Sequence, residues 1–293
     1  MKEKKRGFLI LFIVLLILAL AGFSISPLLS GILEGTQTQS QASPTPTPTV
    51  GADRISDLQS QARGYELVLQ REPDNPTALR GLLEVRLELV RLEQGQVEDV
   101  IEPLEKLSEL NPTNRDYSVL LAQAKEYTGD REGAAQVYRG ILTQQPGDLV
   151  ALQGLSELLV RQERPEAAIG LLQDTLNAAP QVNQLQPDSI DVTSVQLVLA
   201  SVYAKEQRYE EAIAVYEEGM KGDAEDFRPI YGKAVILQEQ GRAEEAQGLF
   251  AKALDLAPPN VKDRIKQQAG LSTTPEVPAP PSESVPVEPA EIE

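Results

Sequence analysis

The amino-acid sequence predicts an all-α protein: a helical-repeat solenoid of about five helix pairs with capping helices, behind one N-terminal transmembrane helix. Three observations carry that expectation. Prolines that close apolar, helix-period stretches recur 34 residues apart. Inside those stretches, small and large apolar residues stand four positions apart. One uncharged run near the N-terminus has the length of a membrane span.

That run comes first in the chain. Lys2, Lys4, Lys5 and Arg6 face one acid, Glu3, and no charge follows until Glu34. Between them, Phe8 to Phe23 holds thirteen Leu, Ile, Val or Phe residues in sixteen. At about −0.3 to −0.6 kcal/mol each on an insertion scale, they favour the bilayer by several kcal/mol. Residues 7–26 make about 30 Å of helix, the hydrocarbon thickness, and Pro27 ends it. Residues 1–33 are thus expected to be a cytoplasmic basic stub and an anchor. The positive-inside rule puts the remainder on the periplasmic or thylakoid-lumenal side of a bacterial inner or thylakoid membrane. The alternative is a signal peptide cleaved near Ala21, after Ala19-Leu20-Ala21, giving a secreted protein. Apolar residues continue through Phe23, Ile25, Leu28, Leu29, Ile32 and Leu33, which favours the anchor. With no Cys to acylate, a lipoprotein is excluded.

Residues 34–52 form a linker in which Pro44, Pro46 and Pro48 alternate with Thr, an extended spacer by composition. Residues 53–269 are the part that folds. Residues 270–293 hold six Pro, five Glu and no Lys or Arg, a composition that predicts an acidic disordered tail.

Within 53–269, Pro73, Pro112, Pro146, Pro180 and Pro258 each end an apolar stretch, at intervals of 39, 34, 34 and 78. Ala224 divides the last interval into 44 and 34. Each unit reads as a first helix, a short turn, often with Gly (Gly95, Gly129, Gly241), and a second helix stopped at the Pro. Second helices pair Ala134 with Tyr138, Ala168 with Leu172, Ala212 with Tyr216, and Ala246 with Phe250. Four residues apart, each pair shares one face, the small residue admitting a neighbouring helix. A single second-type helix, Asp53 to Glu72, is expected to cap the front, and Val261 to Ala269 the back. The first full unit, Pro76 to Pro112, reads with a first helix about a turn long. Gln181 to Ser189 reads as an insertion lengthening a loop, with partner contact as the alternative.

On these residues the chain resembles the tetratricopeptide repeat (TPR) family, across nearly all of the folded middle. The nearest unit to the family pattern is Ser194 to Asp226, with Leu199, Ala200, Tyr203, Ala212 and Tyr216 in place. Gly219 and Ala224 depart from it, and no unit has the family's Trp. The architecture, of a membrane-anchored bacterial or cyanobacterial type, also looks similar to the anchored repeat proteins that help build photosynthetic complexes in cyanobacteria and plastids.

The remaining composition removes chemistries. A net charge of −17 leaves no basic stripe for nucleic acid. Without Cys or His there is no thiolate, no Cys/His metal site and no imidazole base. Ser156 and Ser201 have no His to activate them. Glu210/Glu211 and Glu244/Glu245 begin second helices, where acids suit the dipole. No phosphate loop occurs. The expectation is no enzyme, no cofactor, no metal and no small-molecule substrate.

What is left is surface. The resemblance implies a concave groove lined by first helices that takes a protein client. Carried over by position, its wall is Val119, Gln123, Glu126 and Tyr127, then Gln153, Glu157, Val160 and Arg161, then Leu197, Ser201 and Lys205, then Tyr231, Val235 and Gln238. Gln123, Tyr127, Gln153, Glu157, Arg161, Ser201, Lys205, Tyr231 and Val235 are the chief candidates. The implied function is a membrane-tethered adaptor or assembly factor for a membrane or envelope complex. The alternative is a structural subunit of a cell-envelope or secretion complex.

Overall fold

The computed structural model describes residues 50–271, with side chains from Asp53 onward. The expected span at 7–26, the cleavage site near Ala21 and nearly all of the acidic tail lie outside the described residues. Among the described residues there are helices and no strands, and no helix is long and apolar enough to cross a membrane.

Twelve α-helices of the described residues follow in order: α1 Val50–Leu69, α2 Pro76–Arg91, α3 Ile101–Leu110, α4 Arg115–Thr128, α5 Arg131–Gln144, α6 Leu149–Arg161, α7 Pro165–Leu185, α8 Val192–Lys205, α9 Tyr209–Gly222, α10 Phe227–Glu239, α11 Ala243–Leu256 and α12 Pro259–Gln268. A 3₁₀ turn, Val97–Val100, leads into α3. Five pairs run from α2/α3 to α10/α11, with α1 and α12 as end helices. The described residues divide into two compact units, 50–198 and 199–271.

The pairs close through the small residues. Ala122, Ala134, Ala168, Ala200, Ala212 and Ala234 are wholly buried, as is Ser156. Each first-helix member stands twelve residues before its second-helix partner (122/134, 156/168, 200/212, 234/246). Tyr138, Leu172, Tyr216 and Phe250 are buried four residues beyond those partners, so the paired pattern in the sequence is the core.

Three tyrosines do a second job. Tyr65, Tyr138 and Tyr216 lie against Gly81, Gly154 and Gly232, the glycine of the next first helix in each case. All three pairs are sixteen residues apart, so the ring of one unit seats in a notch in the following helix. Leu104 and Leu120, both buried, stand at the same spacing between α3 and α4.

First helices begin on a side-chain cap. Asn75, Asn114, Asp148 and Asp226 accept from backbone N–H groups of α2, α4, α6 and α10, each worth about 1 kcal/mol. Asn75, Asn114 and Asp148 follow a repeat-closing Pro by two residues. The Pro stops one helix and the Asx residue starts the next.

Several expectations are corrected. The first helix of the first unit is α2, sixteen residues long rather than one turn, because Gly81, the only Gly or Pro from Thr77 to Arg91, receives the Tyr65 ring rather than breaking the helix. That unit's five extra residues fall in the turn and the 3₁₀ segment after it. The front cap starts at Val50, inside the expected linker. Gly95 is not the left-handed residue of its turn. Glu93 is, at φ 58°, as Glu163 and Gln207 are in theirs. The amide of the next residue then closes on a carbonyl five back: Gln94 on Leu89, Arg164 on Leu159 and Arg208 on Tyr203. Gly95 instead clears α2, since a Cβ there would stand 3.0 Å from Leu89 Cβ. Gly129 and Gly241 do take the left-handed form, at φ 93° and 77°.

The largest correction concerns Pro180, which lies inside α7 rather than ending it. A proline there forfeits one backbone bond and crowds the carbonyl four residues back, at about 3 kcal/mol. Tertiary contacts offset it. Asn183 donates from Nδ2 to Ile190 O at 2.9 Å, and accepts at Oδ1 from Ile190 N at 2.8 Å. Ile190 is itself buried, and Gly147 lies directly against Ser189 and Ile190. Much of the expected loop, Gln181 to Ser189, is therefore a further turn of α7 pinned to the turn before α6.

Candidate protein-docking surface

In the first unit, α4 and α6 bring four wall residues together. The Arg161 guanidinium on α6 pairs with Glu126 on α4 and lies 3.7 Å from Glu157. Gln153 Nε2 donates to Glu157 Oε1 at 3.2 Å. The Glu126 side chain is 14% exposed. Burial raises its pKa above the ordinary 4.5, while the Arg161 charge opposes the rise and Glu157 adds to it. Gln123 is half-buried, with Oε1 enclosed and no donor reaching it.

Not all of the expected wall is wall. Val119 is buried in the core. Tyr127 packs in part on the apolar cluster of α2, α3 and α4. The register set by Gly81 and Gly154 extends the wall in the other direction. Arg80 stands where Gln153 does, Glu84 where Glu157 does, and both are exposed. The sequence reading misses these two because it makes α2 short; the sixteen-residue Tyr-to-Gly spacing is the signal that finds them.

The second unit holds Ser201, Lys205, Tyr231, Val235 and Gln238. Lys205 is exposed and the other four half-buried. The Tyr231 ring packs on Phe250 of α11, centroids 6.0 Å apart and tilted by 59°, so it belongs partly to the core. Gln238 accepts from Gln268 Nε2 of α12 at 3.3 Å.

The notched tyrosines lie beneath this face. Burial pushes the Tyr138 phenol far above its usual range, and the nearby Glu126 charge adds to that. Burial first, then Glu239, pushes Tyr216 up to about 12. Both stay protonated, as hydroxyls rather than bases. A separate open cavity of about 220 Å³ lies where α3 hands over to α4, lined by Pro112, Arg115, Leu121, Val137 and Ile141 among others. Arg115 reaches from its rim to the buried Asp148 carboxylate. Among the described residues, no group of three or more acidic, His or Cys side chains is placed to hold a metal ion.

Comparison with known proteins gives this arrangement its context. A family model described as tetratricopeptide repeat matches residues 127–186 and 203–263, so the chain carries TPR repeats. The chain is 29% identical over 191 residues to protein SLOW GREEN 1, chloroplastic, of Arabidopsis thaliana. The match takes in 65% of this chain and 58% of that protein's length. Among solved structures, it is similar to YrrB, a TPR protein with an unusual peptide-binding site (15% identity, 71% of this chain and 99% of that one, TM-score 0.36). It is also similar to a thermophilic TPR protein of Thermus thermophilus (20% identity, 65% and 98%, TM-score 0.40). A third is MamA (18% identity, 58% and 92%, TM-score 0.38).

Proposed function

We propose that this chain is a membrane-tethered scaffold, an adaptor or assembly factor for a membrane or envelope complex, which docks a protein client along its first helices. TPR proteins act as protein-interaction scaffolds, and the surface chemistry fits that role. One observation carries the reading: Gln153, Glu157 and Arg161 of α6 converge with Glu126 of α4 into a polar patch shared by successive helix pairs. A guanidinium and neighbouring amides and carboxylates on rigid helices can exchange internal partners for those of a client. Tethering is supported by the basic stub and the uncharged residues 7–26. The name of the Arabidopsis relative, a chloroplastic protein, is compatible with a thylakoid site.

The test is client capture by cross-linking from native membranes. Gln153→Ala with Arg161→Ala should lower capture about tenfold or more, the loss of one or two charge-assisted hydrogen bonds. Glu132→Ala with Gln136→Ala, on the exposed side of α5, should leave it unchanged. Equal capture by both pairs at equal helicity would remove the first-helix face from consideration.

A further inference from the structure

We infer that the chain's own acidic, proline-rich segment, residues 272–293, docks along the first-helix face of the second unit. This rests on the scaffold reading and deepens it, because it gives the client surface there a resident competitor. The starting point is where the described chain stops. Gln268, in the last turn of α12, bonds Gln238 of α10 at 3.3 Å. Gly270 then turns at φ 69°, and Leu271 N closes on Lys266 O at 2.9 Å. The described chain thus ends three residues past Gln268, whose partner Gln238 shares its face of α10 with Val235 and Tyr231, three and seven residues earlier.

The chemistry of segment and surface agrees. The segment has five Glu, six Pro and no cation. On α12, Lys262 and Arg264 make no ion pair among the described residues, whereas Lys266 is held by Asp263 at 3.4 Å and Lys233 of α10 by Glu217 at 2.5 Å. Lys262 and Arg264, on the helix from which the segment leaves, are thus cations that an acidic strand can take up. Glu239, beside Gln238, is the like charge on that face and steers the carboxylates towards α12. A proline-rich strand leaves its carbonyls unbonded and favours an aromatic platform with side-chain donors. Half-buried Tyr231 supplies the ring and hydroxyl, and Gln238 an amide. Reach is ample: the 22 residues extend about 70 Å at about 3.1 Å each, while packed helices lie about 8–10 Å apart.

The chain has no Cys, so Ser282→Cys or Ala279→Cys in the full-length protein accepts a single thiol-linked photo-cross-linker. Cross-links are expected on peptides from α10 and α12, within one molecule when isotope-labelled and unlabelled copies are mixed. Lys262→Glu with Arg264→Glu, or about 1 M salt, should lower their yield about fivefold, since exposed ion pairs are screened. Links that fall on the first unit, join two copies, scatter over the surface, form from neither position or ignore both charge reversal and salt overturn the proposal. Client capture plays no part in this readout, so the scaffold reading and this contact fail separately.

Discussion

Gly154 has no room for a side chain. A Cβ there would stand 2.5 Å from Tyr138 Cζ and 2.7 Å from its hydroxyl oxygen, and the ring is wedged in the core and cannot step aside. Gly154→Ala should therefore destabilise by about 2 kcal/mol through overpacking, read by urea unfolding. Tyr138→Leu in the same chain should recover part of the loss. Gly170, inside α7 with nothing within 4 Å of the added carbon, gives the opposite sign: Gly170→Ala should stabilise by about 0.5–1 kcal/mol. Glu126 offers a test by pH. Burial raises its folded pKa, so the folded state binds a proton more readily than the unfolded chain. Relative to Glu126→Gln, the native protein should gain stability as pH falls from about 7 towards the carboxylate range, and the difference should flatten below it. The residues of the core were legible because Ala134 and Tyr138, or Ala246 and Phe250, fix a face by spacing alone. The wall was less so. Val119 has the right phase on α4, yet the neighbouring helices cover it, and phase says nothing about how far a neighbour reaches.

At the scale of the element, the proline rule worked wherever a turn followed at once. Pro73, Pro112, Pro146 and Pro258 all stand just past a helix end. At Pro180 it did not, because what holds α7 together beyond the proline comes from outside the helix: Asn183 grips the backbone of Ile190, seven residues on. Helix propensity cannot see such a contact, and a one-residue pattern cannot distinguish a gripping Asn from a turn Asn. Asn183→Ala should remove both bonds and cost about 1–3 kcal/mol locally. Hydrogen exchange would show this as faster exchange at Ile190 and at the end of α7, with α4 to α6 retaining their protection. Equal loss of protection across the unit would mean the extension is part of the common core rather than an appended turn. The α2 helix makes the complementary point. Its sixteen-residue length was missed because Gly81 interrupts the run, and the five extra residues after it hid the repeat register until the Tyr65–Gly81 contact fixed it.

At the scale of the molecule, a stack of helix pairs must end, and α1 shows how. The Tyr65–Gly81 and Tyr138–Gly154 contacts put α1 in the register of a second helix, α5. In that register Gln61 stands where α5 has wholly buried Ala134, and Val68, 40% exposed, where Ile141 is 7% exposed. The side that would meet a first helix is thus partly polar, while Ile55, Leu58, Ala62, Tyr65 and Leu69 cover Leu82, Val85 and Leu89 of α2. That is the behaviour of a capping element in a linear array, whose loss exposes the next apolar face. A chain beginning at Val50 should melt at the same temperature as the full chain, since every described residue that covers α2 is retained. A chain beginning at Asn75 keeps the cap residue of α2 but uncovers three large apolar side chains, each worth about 1.5–3 kcal/mol of burial. It should bind a hydrophobic dye, lose exchange protection in α2 first, and melt well below the longer form. If the chain from Asn75 melted unchanged and bound no dye, α1 would be a passenger, and the first unit would have to be closed by α2 itself.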